Sequence, residues 1–423
     1  MPSLDHSPAL TSTRLARAVL TPPAILRLSA GWASIAALTA LAPALPSLLP
    51  SLALLALLAA IVAVIVLAAG GVVQQAEALA GRLGDPYGTL VLTLSIVVIE
   101  VVLIAAVMLG DGDHATIARD SVMAVSMIIL NLVFGICLIV AGIRHGGLAA
   151  NRVGTSMYVG MLLLLAASAF ALPALIGDDG SLRPVQAAVV AGLTVVLYAV
   201  FLRRQTGVRA SDFQEVATGS RVVRTGSRAA QDAAVRDPDA ASSSTSTSTS
   251  ASASSSSSPS GPTPEIGQAL RTHRLELLVR SALLIATVLP IVLLSHHMAG
   301  LLDEGLARLG APAALGGVLI AMIVFTPESI TAVRAALGGE IQRVVNLCHG
   351  ALVSTFALTI PTVLVISLVT GQRVVLAESS ANLVLLGVTL ALCTLSARAA
   401  RMTRWHGIAH LLLCAIYAIV LFA

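Results

Sequence analysis

Val-Leu-Ile-Ala-Met-Ile-Val-Phe-Thr-Pro-Glu-Ser-Ile-Thr, residues 318–331, sets a single carboxylate, Glu328, inside an apolar run. The run extends outward from Ala313 to Val333. That is enough to cross a bilayer, which takes about 20 residues of helix. A charge near the middle of such a helix costs at least about 2.5 to 3.5 kcal/mol on insertion scales. It is therefore expected to face a cavity or a partner and to mark an ion or proton path. The same arrangement stands earlier in the chain, where Ile-Val-Val-Ile-Glu-Val-Val-Leu-Ile, residues 96–104, centres on Glu100.

The rest of the chain agrees with a bilayer environment. Of its 423 residues 57% are hydrophobic and 11% charged, with a mean hydropathy of +0.93, whereas soluble domains carry about 25% charge. Aromatic residues make up 3%, and a chain built from Leu, Val, Ala and Ile suits long helices rather than the aromatic-girdled strands of a membrane barrel. The expected class is an all-α integral membrane protein. Eleven stretches qualify as spans: Ile25 to Ala42, Leu48 to Ala69, Gly88 to Leu109, Ser121 to Ile143, Ser156 to Ile176, Pro184 to Leu202, Leu275 to Leu294, Ala313 to Val333, Val344 to Thr370, Val374 to Ser396 and Trp405 to Phe422.

Four regions follow. Residues 1–47 hold a tail and the first span, 48–202 a first five-helix half, 203–274 a polar linker, and 275–423 a second five-helix half. The linker carries the run Ser-Ser-Ser-Thr-Ser-Thr-Ser-Thr-Ser from Ser242, and its stretch from Ser211 to Pro262 is predicted to be unstructured because it has too little apolar surface to offset its ordering entropy. All 25 basic residues are arginine. With the N-terminus inside, Arg14, Arg17, Arg27, Arg82, Arg144, Arg152, Arg334, Arg343, Arg398, Arg401 and Arg404 fall on the inner side with the linker, and only Arg119, Arg183, Arg308 and Arg373 fall outside. This bias predicts a multi-pass cell-membrane protein with a cytoplasmic N-terminus and linker and an outer C-terminus. The net charge of +4 thus belongs to loops, and no nucleic-acid partner is implied.

An odd number of helices per half inverts the second half relative to the first. Each half repeats the same order: an apolar span, an amphipathic stretch with L-G-x-P, a span with one glutamate, and a span with N-L-x-x-G. These are Leu83 to Pro86, Glu100 and Asn131 to Gly135 in the first, and Leu309 to Pro312, Glu328 and Asn346 to Gly350 in the second. Inverted repeats with polar residues near the midplane are the architecture of many secondary transporters. Beside Glu328, Pro327 removes a backbone donor and is expected to break the helix ladder, freeing carbonyls for a cation; Thr326 and Ser329 flank it. Asn131 and Asn346 either supply neutral oxygens or bond helices together. His349, inside the second N-L-x-x-G, is a candidate for a proton role.

Blander readings hold elsewhere. His406 and His410 have the i, i+4 spacing of a metal pair but no nearby third ligand, so an interhelical hydrogen bond is expected. His296 and His297 read as loop residues, Asp120 as the ion-pair partner of Arg119, and the four cysteines as packing. The G-x-S-x-G, G-x-x-x-x-G-K-[ST] and H-E-x-x-H patterns are absent, which disfavours an ATP-driven pump or a familiar membrane hydrolase. A membrane-embedded enzyme using Glu100, Glu328 and His349, or a regulatory scaffold acting through the serine-rich linker, is the alternative from another class.

At these residues the chain resembles the bacterial calcium/proton (sodium/proton) antiporters of the cation/calcium exchanger superfamily. The resemblance covers spans two to eleven. It is carried by the Glu100 segment with Ala-Arg-Asp-Ser-Val (118–122) and Ile129 to Gly142, and by Pro-Glu-Ser-Ile-Thr-Ala-Val-Arg-Ala-Ala-Leu (327–337), Gln-Arg-Val-Val-Asn-Leu (342–347) and Leu-Thr-Ile-Pro-Thr-Val-Leu (358–364). It implies that Glu100 and Glu328 occupy the acidic positions of two alpha repeats, with Asn131 and Asn346 on the helices that follow. The family's G-N-A-x-E is altered: Val97 and Val98 replace its Gly-Asn in one repeat, and Val324 to Pro327 stand there in the other. Serine replaces the acidic segment often found in the central loop. The expected activity is secondary antiport, Ca2+ for H+ with Na+ or K+ as the alternative cation, with these ions as cargo and no resident cofactor. Two carboxylates repel one another in a low-dielectric cavity, and either a divalent cation or protons neutralise them. If only the neutralised carrier switches access, the two fluxes are coupled.

Overall fold

The computed structural model describes residues 20–41, 50–83, nine positions of the third span (94, 97, 98, 100–102, 104, 105 and 108), 115–207, 209–215, 274–310, 312 and 314–422. Without water in hydrocarbon, each backbone N–H and C=O must be satisfied within the chain, and the apolar runs do so as helices. In chain order these are α1 (Pro22–Leu41), α2 (Ser51–Leu83), α3 (Ile117–His145), α4 (Arg152–Ile176), α5 (Pro184–Thr206), α6 (Arg274–Leu309), α7 (Ala314–Gly338), α8 (Ile341–Thr370), α9 (Ser380–Arg398) and α10 (Arg404–Leu421). The nine described positions around Glu100 are helical as well. Among the described residues no β-strand occurs, only two isolated bridges. Among the described residues eight helices are long and apolar enough to cross a membrane by length and composition, and most of the third expected span lies outside those residues.

Helix ends follow local chemistry. The Asn151 side chain caps α4 by accepting from Val153 N at 3.1 Å and Gly154 N at 3.4 Å. Gly146 and Gly371, at φ 71° and 72°, end α3 and α8 in the left-handed region that costs a glycine nothing. The clearest departures from expectation are α2 and α6. Each continues through the amphipathic stretch after its apolar run, giving 33 and 36 residues in place of spans ending at Ala69 and Leu294. The polar residues there do not end the helix because one of its sides stays apolar: Val72, Val73, Ala76 and Leu79 on α2, and Met298, Leu301, Leu302 and Leu306 on α6, are buried. The two long helices pack against each other, and α1 packs on both. Of the L-G-x-P pair, the second starts on the last residue of α6 and turns at Gly310 (φ 63°), and the first starts on the last residue of α2, with residues 84–86 outside the described residues.

Contacts at the helix ends define two faces. On one, Leu148 pairs with Met402, a His145 ring nitrogen lies 3.1 Å from the Leu337 carbonyl, and Asn151 N donates to Gln342 Oε1. This is the linker face, since α5 ends there and α6 begins after the linker. On the other, the extended segment 371–379 donates from Val375 N to Ala115 O and from Leu376 N to Gly180 O. Arg119 pairs with Asp120 at 2.8 Å on that side, as expected, and also donates to Ala377 O. Burial holds the nearby Glu378 carboxyl above the usual glutamate range, against the opposing bonds from Ser379 N and Asn382.

The repeat motifs run in opposite directions. The Asn131 helix α3 ends at the linker face, whereas the Asn346 helix α8 begins there. Their fourth motif residues, Phe134 and His349, meet edge to face with ring centroids 4.9 Å apart and planes at 88°. Contact between repeat-equivalent positions is what a pseudo-twofold axis between the motifs produces. The linker also departs from its expected character at its start. Arg203–Thr206 belong to α5, Ala210–Phe213 form a 3₁₀ turn, and Phe213 is buried, because this aromatic finds Tyr158 and Phe201. From residue 216 on, the predicted unstructured segment, with its serine runs, lies outside the described residues.

Candidate ion site

Glu100 and Glu328 are both buried, at 1% and 6% exposure, and are close enough for their charges to act on each other. Glu100 Oε2 accepts from Thr355 Oγ1 at 2.6 Å, while Glu100 Oε1 and both oxygens of Glu328 have no hydrogen-bond partner. Buried carboxylate oxygens left this way are costly, because they have given up water without replacement. Glu328 and Ser329 line a small cavity closed by Ile129 and Val133 of α3, Phe325 and Ala332 of α7, and Leu347 and Cys348 of α8. The cavity is thus walled by one Asn-motif helix from each repeat and by the helix that carries Glu328.

The other candidates distribute around this pair. Helix α7 runs unbroken through Pro327, in contrast to the expected break. A mid-helix proline still lacks the N–H that would bond the carbonyl four residues earlier, so one acceptor remains available without a break. Ser329 Oγ donates to Phe325 O at 2.7 Å and Thr326 Oγ1 to Met322 O, so each hydroxyl hydrogen is spent on its own helix and leaves oxygen lone pairs for a cation. Ser329 lines the Glu328 cavity. Thr326 instead lines a larger apolar cavity between α2, α6 and α7.

The two asparagines sit differently. Asn131 lies in a π-helical turn, Ile128–Val133, a local widening of the helix that recurs at functional sites. Its Nδ2 donates to Thr389 Oγ1 at 2.9 Å and its Oδ1 faces His410 Nδ1 at 3.1 Å, so it joins α3, α9 and α10. Asn346 is only partly buried, near the linker end of α8. It donates to Phe213 O at 2.7 Å and accepts from Gln342 Nε2 at 2.9 Å. His349 is fully buried against Phe134, and neither ring nitrogen has a well-formed hydrogen bond. His406 lies apart from this, its Nδ1 3.0 Å from Thr403 Oγ1 at the start of α10. Among the described residues no cluster of three His, Cys, Asp or Glu side chains suited to a resident metal occurs. Cys137, Cys348 and Cys393 are free and buried.

Sequence reasoning passed over Thr355. It stands nine residues after Asn346, and the matching position after Asn131 is Val140, so a search for shared repeat residues has no means to find it. A hydrogen bond to a charged group contributes about 1.5 to 3 kcal/mol. Thr355→Val, which keeps shape and removes the donor, is expected to weaken cation affinity roughly 10- to 100-fold with the protein still folded. The check is concentration-dependent uptake at matched protein levels, and an unchanged half-saturating concentration would show the bond to be incidental.

Residues 53–207 and 280–423 match the family described as sodium/calcium exchanger protein. A Sinorhizobium fredii protein described as an ionic transporter, y4hA, is 32% identical over 351 residues, 82% of this chain and 83% of that one. The sodium-potassium/proton antiporter ChaA of Escherichia coli is 29% identical over 360 residues, 85% of this chain and 87% of that one. Among solved structures, native YfkE aligns with a TM-score of 0.65 at 15% identity, covering 94% of this chain and 99% of that one. The H+/Ca2+ exchanger CAX aligns with a TM-score of 0.57 at 14% identity, covering 94% and 89%. At these identities the structures speak to the fold alone.

Proposed function

This chain belongs to the sodium/calcium exchanger protein family, and on that premise we propose that it is a cation/proton antiporter whose Glu100 and Glu328 hold the transported cation and the protons in turn. The observation that carries this reading is the carboxylate pair itself: two buried glutamates from inverted positions, with three of their four oxygens unpartnered. The pair leaves a double negative charge in the bilayer that a divalent cation or two protons remove. Ca2+ takes about six to eight oxygen ligands. The two carboxylates, Ser329, the carbonyl freed by Pro327 and water supply such a set, with Thr355 orienting Glu100. Asn131, Asn346 and His349 support the site from outside it through contacts between segments, and Thr326 stands on the far side of its helix, toward the apolar cavity. The arginine bias makes the linker face the cytoplasmic one.

Na+ or K+ in place of Ca2+ is the second reading, favoured by the likeness to a sodium-potassium/proton antiporter across most of the chain. Proteoliposomes with an imposed pH gradient separate the two. External Ca2+ is expected to dissipate the gradient in protein-containing vesicles and not in empty ones. Dissipation by Na+ or K+ with none by Ca2+ would transfer the assignment to the monovalent ions, and no response to any of the three would remove the antiporter reading.

A further inference from the structure

Along α8 a row of small or polar positions leads from the linker face toward Glu100. Asn346, Gly350 and Ser354 are four residues apart and share one side of the helix, and Thr355, which holds Glu100, follows directly. Nine residues of rise place Asn346 about 13 Å from Thr355 along the axis. The row has polar company. The Tyr158 hydroxyl lies over Gly350, where an added Cβ would be 3.3 Å from it, and accepts from Gln205 Nε2 at 2.9 Å. Further in, the Tyr198 hydroxyl and Ser354 Oγ are 2.9 Å apart. Hydroxyls lined up in this way between a helix mouth and a buried carboxylate serve protons and partly hydrated cations better than an apolar seam does.

This row does not open to the linker face. Phe213 covers it, 6% exposed, with its ring edge-on to Tyr158 at 5.3 Å and to Phe201 at 5.9 Å. What holds Phe213 there is unlike what holds the bundle. Its carbonyl accepts from Asn346, and Asn151 Nδ2 reaches the Ser211 carbonyl at 3.4 Å. The Glu215 carboxylate accepts from Gln342 N at 3.0 Å and Arg343 N at 3.4 Å. Glu340, the residue before α8, gives that helix no side-chain cap, so Glu215 satisfies donors that are otherwise orphaned and sets a negative charge on the positive end of the helix. Asn151 belongs to the first repeat and Gln342, Arg343 and Asn346 to the second. Movement of one repeat against the other therefore pulls on these bonds, and their release unfolds no membrane helix.

We propose that the head of the linker, residues 209–215, is the linker-side gate of the ion path, with Phe213 as its stopper and Glu215 as its latch on α8. The gate rests on the proposed function, in that the carboxylate pair is the destination of the path. Its test uses no ion gradient and so separates from that function. In a variant with Cys137, Cys348, Cys393 and Cys414 replaced by alanine, Ser354→Cys is introduced and its modification by a charged thiol reagent applied from the linker side is timed. Adding Phe213→Ala is expected to accelerate modification at least about tenfold, since loss of a buried phenylalanine destabilises the closed state by more than the 1.4 kcal/mol that tenfold requires. Glu215→Ala, which frees the latch without opening a cavity, is expected to accelerate it in the same direction and stands in if Phe213→Ala does not fold. Equal modification rates with and without the changes would overturn the gate. Absent cation flux in the unmodified protein would overturn the antiporter reading while leaving this accessibility result as it stands.

Discussion

Glu328→Gln is expected to abolish cation-driven proton movement, and Glu100→Gln to do the same. Glutamine keeps the size and one carbonyl oxygen of glutamate but neither binds nor releases a proton in the physiological range. The two changes differ in their local consequences. At position 100 the amide oxygen still accepts from Thr355, so the helix contact survives and only the charge is lost. At position 328 neither carboxylate oxygen has a partner to lose, so the charge is removed without breaking a hydrogen bond, and the variant should fold as the parent does. Stability preserved with exchange lost is the signature of a functional carboxylate. The measurement is proton movement in vesicles on cation addition, with thermal melting of the purified variants alongside. Parental exchange rates in both variants would remove the carboxylate mechanism. Loss in only one would identify an asymmetric site with a single proton carrier.

Gly407→Val is expected to prevent α10 from docking. A Cβ at Gly407 would stand 2.5 Å from Gly135 O and 2.9 Å from Ile139 N, and both contacts are backbone that cannot step aside. In a bilayer, close approach of small residues supplies helix association that the hydrophobic effect does not. Forcing α3 and α10 apart costs at least the roughly 1 to 3 kcal/mol typical of overpacking. It also draws His410, three residues on, away from Asn131. The expected results are low yield of monodisperse protein and a melting temperature well below the parent's. Gly192→Ala on α5 is the control, because nothing lies within 4 Å of the added methyl. Equal melting of Gly407→Val and the control would show that α10 contributes nothing to the fold.

The sequence exposes those parts of the structure that depend on hydropathy and motif order. Apolar runs place the spans, and a shared order of motifs reveals two inverted halves before any contact is seen. Side-chain direction is not legible in this way. Asn131 and Asn346 occupy equal motif positions, yet one is fully buried among α3, α9 and α10 while the other binds the linker head. The π-helical turn at Asn131 adds to the divergence, since an altered helical repeat turns the side chain away from the direction a regular helix gives it. Thr355 was hidden because its equivalent is Val140. The linker head was hidden because a serine-rich composition masks one buried aromatic at its edge. Helix length was underestimated in α2 and α6, where polar residues on one side of a helix read as an end to the span.

The meeting of Phe134 with His349 bears on which way the unloaded carrier rests. In a protein whose halves were identical, facing one side of the membrane and facing the other would be the same arrangement with the halves exchanged, and the two would be equally populated. Each mismatched pair lifts that degeneracy. Phe134 opposite His349 does so at the axis, and Thr355, whose counterpart in the other half is Val140, does so beside Glu100. The resting bias of the transporter is thus written in the differences between its halves. Making the halves more alike at the axis, by His349→Phe, is expected to shift that bias with both glutamates left in place.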